Sequence, residues 1–161
     1  IIDVGANQGD WTRLAKEIFP NAQCLMIEPQ LEMRQPLNEL CAKHHDVSWV
    51  EAGAGSVPGK LVQTLWDDLA GSSFLPKVDE NLLRSGKQRE VEIVTIDALL
   101  SSRQLSMPDL VKLDIQGFEL EALRGANSLF GKTELFILEV SLFPFDDVPG
   151  MPIFREVIDF M

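Results

Sequence analysis

The chain has 161 residues, the size of one domain and long enough to bury a core without disulfide staples. Hydrophobic residues make up 45% and charged residues 24%, which excludes a disordered chain. A net charge of −11 repels phosphate backbones and anionic lipid, and so argues against nucleic acid and membrane as partners.

In chain order, apolar runs of four to six residues alternate with segments of helical period, the pattern of a parallel sheet built from βαβ units. Residues 1–4 read as a short buried strand broken by Gly5. Residues 10–19 read as a helix burying Trp11, Leu14, Ala15 and Ile18. A second strand (24–27) closes at Glu28-Pro29, a second helix (31–43) carries Pro36 near its start, and a third strand spans 47–51. The centre differs. Residues 60–66 and 91–96 are expected to pair as antiparallel strands, with the long polar stretch 67–90 between them as a lid or binding loop. Asp97 is expected to cap a short helix ending near Ser102. The last third gives a strand (110–115), a helix (117–130), a fifth buried strand (135–140) and the beginning of another helix (151–161). The chain opens on Ile1 inside a strand and stops inside a helix, which reads as one domain, 1–161, truncated at both ends.

Other features bound the chemistry. Cys24 and Cys41 are too few for a disulfide framework or a zinc site, and no metal centre is expected. No apolar run approaches the roughly 18 residues of a spanning helix, and no basic-then-apolar leader opens the chain. These traits read as a soluble, cytoplasmic protein. Tyr is absent and the two His are the pair His44-His45, so the usual general bases near neutral pH are nearly missing.

Ligands of open parallel α/β sheets bind beyond the carboxyl ends of the strands. Four of the five expected strands carry an acid there: Asp3, Glu28, Asp114 and Glu139. The turn Asp3-Val4-Gly5-Ala6-Asn7-Gln8-Gly9 runs from strand to helix, and its glycines allow close backbone approach to a ligand. A side chain at Gly5 is therefore expected to abolish ligand binding while leaving the fold intact. No Gly-Lys-Ser/Thr follows, so this is not a P-loop. Asn7 stands where the dinucleotide pattern has its second Gly. Glu28, 25 positions after Asp3, suits a ribose diol.

Taken together, Asp3 to Gly9, Ile27-Glu28-Pro29 and the run Val111-Lys112-Leu113-Asp114-Ile115-Gln116-Gly117-Phe118-Glu119 through Ala126 resemble the FkbM family of methyltransferases. Gly71-Ser72-Ser73-Phe74, Val94-Thr95-Ile96-Asp97 and Leu138-Glu139-Val140 resemble weaker signatures of that family. The resemblance implies a class I, Rossmann-like three-layer α/β fold with strand order 3-2-1-4-5, here with an inserted β pair and without the closing C-terminal strands. It implies S-adenosylmethionine as cofactor, with Asp3, Gly5, Ala6, Asn7 and Gly9 at the methionine end, Glu28 at the ribose, and Ala52 and Gly53 beside the adenine. Gln116 and Gly53 depart from the acid and Ala common in the family. The function implied is O-methylation of a sugar, polyketide or other small-molecule hydroxyl. Asp114 is the candidate base or acceptor-orienting residue, with Glu139 and Glu119 in support. An Asp114–Glu139 pair also suits a divalent cation. Two alternatives stay open: a cofactor-binding domain without transfer activity, and a nicotinamide-dependent oxidoreductase.

Overall fold

The computed structural model describes residues 1–143 and 150–161. Its central sheet has five parallel strands in the order β3-β2-β1-β7-β8: β1 (Ile2–Val4), β2 (Cys24–Ile27), β3 (Val47–Val50), β7 (Leu110–Leu113) and β8 (Leu135–Leu138). This is the order the sequence implied. A second sheet, β4 (Gly53–Ala54), β6 (Gln88–Val94) and β5 (Gly59–Thr64), stands beside it. The antiparallel β5–β6 pairing matches the expected pair of strands, and β4 adds a third strand to it in parallel.

Alternation along the strands sorts the core into two layers. Ile2, Val4, Leu25, Ile27, Val111 and Leu113 pack on one face against α4 (Ile96–Ser102), α5 (Glu119–Arg124) and α6 (Phe154–Phe160). On the other face Cys24 and Met26 meet Leu37 and Leu40 of α2 (Arg34–Lys43). The register sets Asp3 between Met26 and Lys112 on that second face. A carboxylate and an ammonium thus occupy the centre of a sheet face that elsewhere carries Met and Cys.

Four expectations are corrected. Helix α1 (Asp10–Ile18) buries Thr12, Ala15 and Lys16, while Leu14 and Ile18 are 53% and 60% exposed. Polar anchors set its rotation: Thr12 Oγ1 donates to Asp3 Oδ2 at 2.7 Å, and Lys16 Nζ to Asp46 Oδ2 at 2.6 Å. Strand β8 takes the sheet edge that the absence of closing strands implies, and it is half-exposed where its apolar run reads as buried. Phe136 and Leu138 join the core, whereas Leu135 and Ile137 lie on its open side. Thr95, not Asp97, caps α4, its side chain accepting from Ala98 N, and Asp97 instead accepts from the Ser128 amide and hydroxyl. The single helix expected over 117–130 is α5 followed by a 3₁₀ turn, Asn127–Leu129, with Gly125 between them. The polar stretch 67–90 is not wholly irregular either. It holds α3 (Glu80–Arg84), and Ser73 pairs with Thr64 across the mouth of the β5–β6 hairpin. No helix among the described residues is long and apolar enough to cross a membrane.

Candidate active site

A crevice of about 640 Å³ opens at the carboxyl ends of the central strands, within the usual size of a small-molecule site. The strand order ranks its walls. Ala52 and Gly53 lie at the β3 flank, Glu28 beyond β2, Gly5 to Asn7 beyond β1, and Asp114 and Glu139 beyond β7 and β8. Asp68, Gly71, Ser72 and Phe74 cover it from the segment after β5. Of the residues singled out from sequence, Gly5, Ala6, Asn7, Glu28, Ala52, Gly53, Asp114 and Glu139 line this one crevice.

Three others do not line it. Asp3 is fully buried on the α2 face of β1, where it accepts from Thr12 and stands 3.2 Å from Lys112 Nζ. Burial pushes its carboxyl above the usual range, opposed by the Lys112 ammonium and the Thr12 hydroxyl. Gly9 faces α2: a Cβ there would stand 2.8 Å from Leu40 Cδ2, so its smallness serves helix packing. Glu119 is buried, and its Oε1 accepts from the backbone N–H groups of Ile115 at 3.0 Å and Gly117 at 3.3 Å. It fastens the turn that carries Asp114, and burial raises its carboxyl. Gly5, at φ +76°, does line the crevice, yet a Cβ there would stand 2.0 Å from the Asp114 carbonyl oxygen. Its bareness is needed first for the β1 turn to meet the β7 turn, so the expectation that a side chain there spares the fold is corrected.

The turn after β1 is locked from within. Asn7, at φ +48°, accepts from Gln8 N through Oδ1, and Asn7 N donates to Glu28 Oε2 at 2.8 Å. Glu28 Oε1 accepts from Gln30 N at 3.0 Å. Burial raises the Glu28 carboxyl, opposed by these two backbone donors and by the Gln30 side chain. Each of its oxygens keeps a further lone pair, so accepting from ligand hydroxyls remains open to it.

At the other flank, Asp114 receives Gln116 Nε2 on Oδ1 at 2.9 Å and has Lys112 Nζ 3.4 Å from Oδ2. Lys112 also donates to the Gly5 carbonyl at 3.0 Å. The Glu139 carboxyl is raised because it lies within hydrogen-bonding reach of Asp114 and its charge, with burial adding to this. Strand β8 delivers it: Glu139 N donates to Leu113 O, continuing the ladder by one residue. Among the described residues no group of three or more His, Cys, Asp or Glu converges as metal ligands.

Sequence reasoning missed Gln30, Gln63 and Trp11 as crevice residues. Trp11, whose spacing places it on the buried face of α1, lines the crevice instead. Gln30 and Gln63 gave no signal, because a lone Gln in a strand or turn reads as surface. Here both are buried, and neither Oε1 has a hydrogen-bond partner.

Residues 3–161 match the methyltransferase FkbM domain. The chain belongs to the FkbM methyltransferase family. Methyltransferase sdnD of Sordaria araneosa is 28% identical over 155 residues, covering 79% of this chain and 60% of that protein. Methyltransferase 1 of Beauveria bassiana is 28% identical over 146 residues, covering 78% and 57%. The chain thus spans about three-fifths of the curated relatives it matches. The crystal structure of methyltransferase FkbM from Methylobacillus flagellatus KT shares the fold at TM-score 0.60 and 19% identity, covering 86% of this chain and 32% of that one. The FkbM family thus supplies the frame for the crevice, and the acid pair and the glycine turn sit at its strand ends.

Proposed function

We propose that the protein is an S-adenosylmethionine-dependent methyltransferase acting on a hydroxyl of a sugar, polyketide or other small molecule. One observation carries the cofactor reading. Five carboxylates, Asp10, Glu28, Asp68, Asp114 and Glu139, line the crevice against a single cation, Lys112, which is already engaged by Asp3 and Asp114. Such walls favour a ligand bearing positive charge and disfavour phosphates. S-adenosylmethionine carries a sulfonium and an ammonium, whereas a nicotinamide dinucleotide carries a pyrophosphate.

The residues present fit this group. Glu28 is the acceptor for ribose hydroxyls, Asn7 and its neighbours hold the amino-acid end, and Ala52 and Gly53 leave room for a flat base. When bound, the cofactor supplies an electrophilic methyl group.

The rest falls to the chain. A hydroxyl acceptor must lose its proton as its oxygen bonds to carbon, and the bases that line this crevice are carboxylates. Asp114, held by Gln116 and Lys112, orients that hydroxyl, and the proton passes to a carboxylate oxygen of the Asp114–Glu139 pair. The raised Glu139 carboxyl suits it to holding that proton. A neutral amine acceptor would need less of such a pair. Support for methyl transfer comes from the family match and from both curated relatives.

Parallel calorimetric titrations with S-adenosylhomocysteine and NADH test the cofactor. Binding of the first and not the second is expected, and the reverse would sink the reading. A panel of hydroxylated and aminated acceptors with radiolabelled cofactor tests the transfer, and label on amines alone would overturn the hydroxyl assignment.

A further inference from the structure

The segment that roofs the crevice is tied to the turn that carries Asp114 by one hydroxyl. Ser73 is 6% exposed, and its Oγ donates to the Gln116 carbonyl at 2.8 Å while accepting from Leu75 N at 3.2 Å. Two backbone hydrogen bonds to Thr64, at the end of β5, fix Ser73 in turn. Its neighbours Ser72 and Phe74 line the crevice. Gln116 lines it too, at φ +53°, a left-handed backbone that a residue with a Cβ adopts only at a cost. From there its Nε2 donates to Asp114 Oδ1 at 2.9 Å. A Cβ on Gly117 would stand 2.4 Å from Leu75 Cδ1, so the roof also lies directly on the turn.

The turn has other anchors. Glu119 accepts from Ile115 N and Gly117 N beneath it, and Asp114 N donates to Val4 O. The strained backbone at Gln116 therefore calls for a further reason, and its carboxamide supplies one. With Gln116 Nε2 on Oδ1 and Lys112 Nζ 3.4 Å from Oδ2, each oxygen of Asp114 has a partner, which fixes the plane of the carboxylate. An ionised acid in place of Gln116 would have nothing to donate and would add a third negative charge beside Asp114 and Glu139. We propose that Ser73 and Gln116 are positioning residues that act in series. The Ser73 hydroxyl sets the Gln116 backbone, and the Gln116 carboxamide sets Asp114, so that the roof of the crevice and the orientation of the base are one unit. The inference rests on the reading of Asp114 as the residue that orients the acceptor hydroxyl, and it gives the run Gly71-Ser72-Ser73-Phe74 a part in that reaction.

Nitrogen-15 NMR of the side-chain amides of the full chain tests the geometry, and turnover on an acceptor labelled in the panel above tests its use. One Gln116 Nε2 proton is expected downfield of the ordinary carboxamide range, and Asp114→Asn is expected to move it back. S73A is expected to return the Gln116 signal to that range and to lower kcat about tenfold or more, with S-adenosylhomocysteine affinity little changed. S73T, which keeps the hydroxyl, is expected to restore both. Q116M, which keeps the length and removes the donor, is expected to reproduce the loss of kcat without raising KM for the cofactor. A Gln116 signal that S73A leaves in place overturns the series. One that Asp114→Asn leaves in place, or an undiminished kcat in Q116M, overturns the hold on Asp114. These results leave the readings of cofactor and base standing, whereas full kcat in Asp114→Asn overturns the base and the use of the series with it. If S73A does not fold, S73C, similar in shape with a weaker donor, is measured in its place against the same outcomes.

Discussion

A Cβ atom on Gly5 would stand 2.0 Å from the carbonyl oxygen of Asp114. The glycine turn after β1 and the turn that carries Asp114 are therefore in backbone contact. Gly5→Ala is expected to cost at least about 2 kcal/mol of stability, from the close approach and the positive φ together. Urea denaturation without ligand measures it. Full stability with lost cofactor affinity would mean that Gly5 serves the ligand alone.

Asp114→Asn is expected to lower turnover by about a hundredfold or more while changing S-adenosylhomocysteine affinity little. Because Asp114 is the main cause of the raised Glu139 carboxyl, the same substitution is expected to bring Glu139 back toward the ordinary carboxylate range. Carbon-13 NMR of labelled Glu side chains follows that titration. A Glu139 midpoint that does not move would separate the two acids.

Lys112 is buried between Asp3 and Asp114 and also donates to the Gly5 carbonyl. Lys112→Met leaves Asp3 as a buried charge with Thr12 as its hydrogen-bond donor, and is expected to cost about 3–5 kcal/mol. Adding Asp3→Asn is expected to return part of this loss. A double-mutant cycle on denaturation midpoints reads the coupling, and strict additivity would deny the pair.

Glu119 separates two effects. Glu119→Ala strips the acceptor from Ile115 N and Gly117 N and is expected to cost about 1–3 kcal/mol. Glu119→Gln keeps an acceptor without the charge. Because burial raises the native carboxyl above its unfolded value, the folded protein holds the proton longer. That contribution is full below the ordinary carboxylate range and is lost as pH rises through the raised value. The melting temperature of Glu119→Gln is thus expected to gain on that of the unaltered protein as pH increases from about 4.5 toward neutrality. A gap that narrows instead would contradict a raised carboxyl.

What the residues alone determined was the order of elements and the acids at the strand ends. Both follow from local rules: apolar runs of strand length, helical period between them, and the acid-bearing ends of Ile1-to-Val4, Ile27-Glu28 and Leu113-Asp114. Tertiary packing decided the rest. Leu14 and Ile18 have the spacing of a buried face, yet Thr12 and Lys16 point inward because Asp3 and Asp46 lie far from them in sequence and close in space. Glu119 and Glu139 are both acids offered in support of Asp114, and only the fold turns one under the Asp114 turn and the other into the crevice. Gln30 follows β2 and Gln63 lies on β5, and nothing local marks either as a crevice residue. Periodicity records which side of its own element a residue takes, whereas hydrogen-bond satisfaction depends on which distant groups the closed chain brings near, and that is decided only when the two sheets meet.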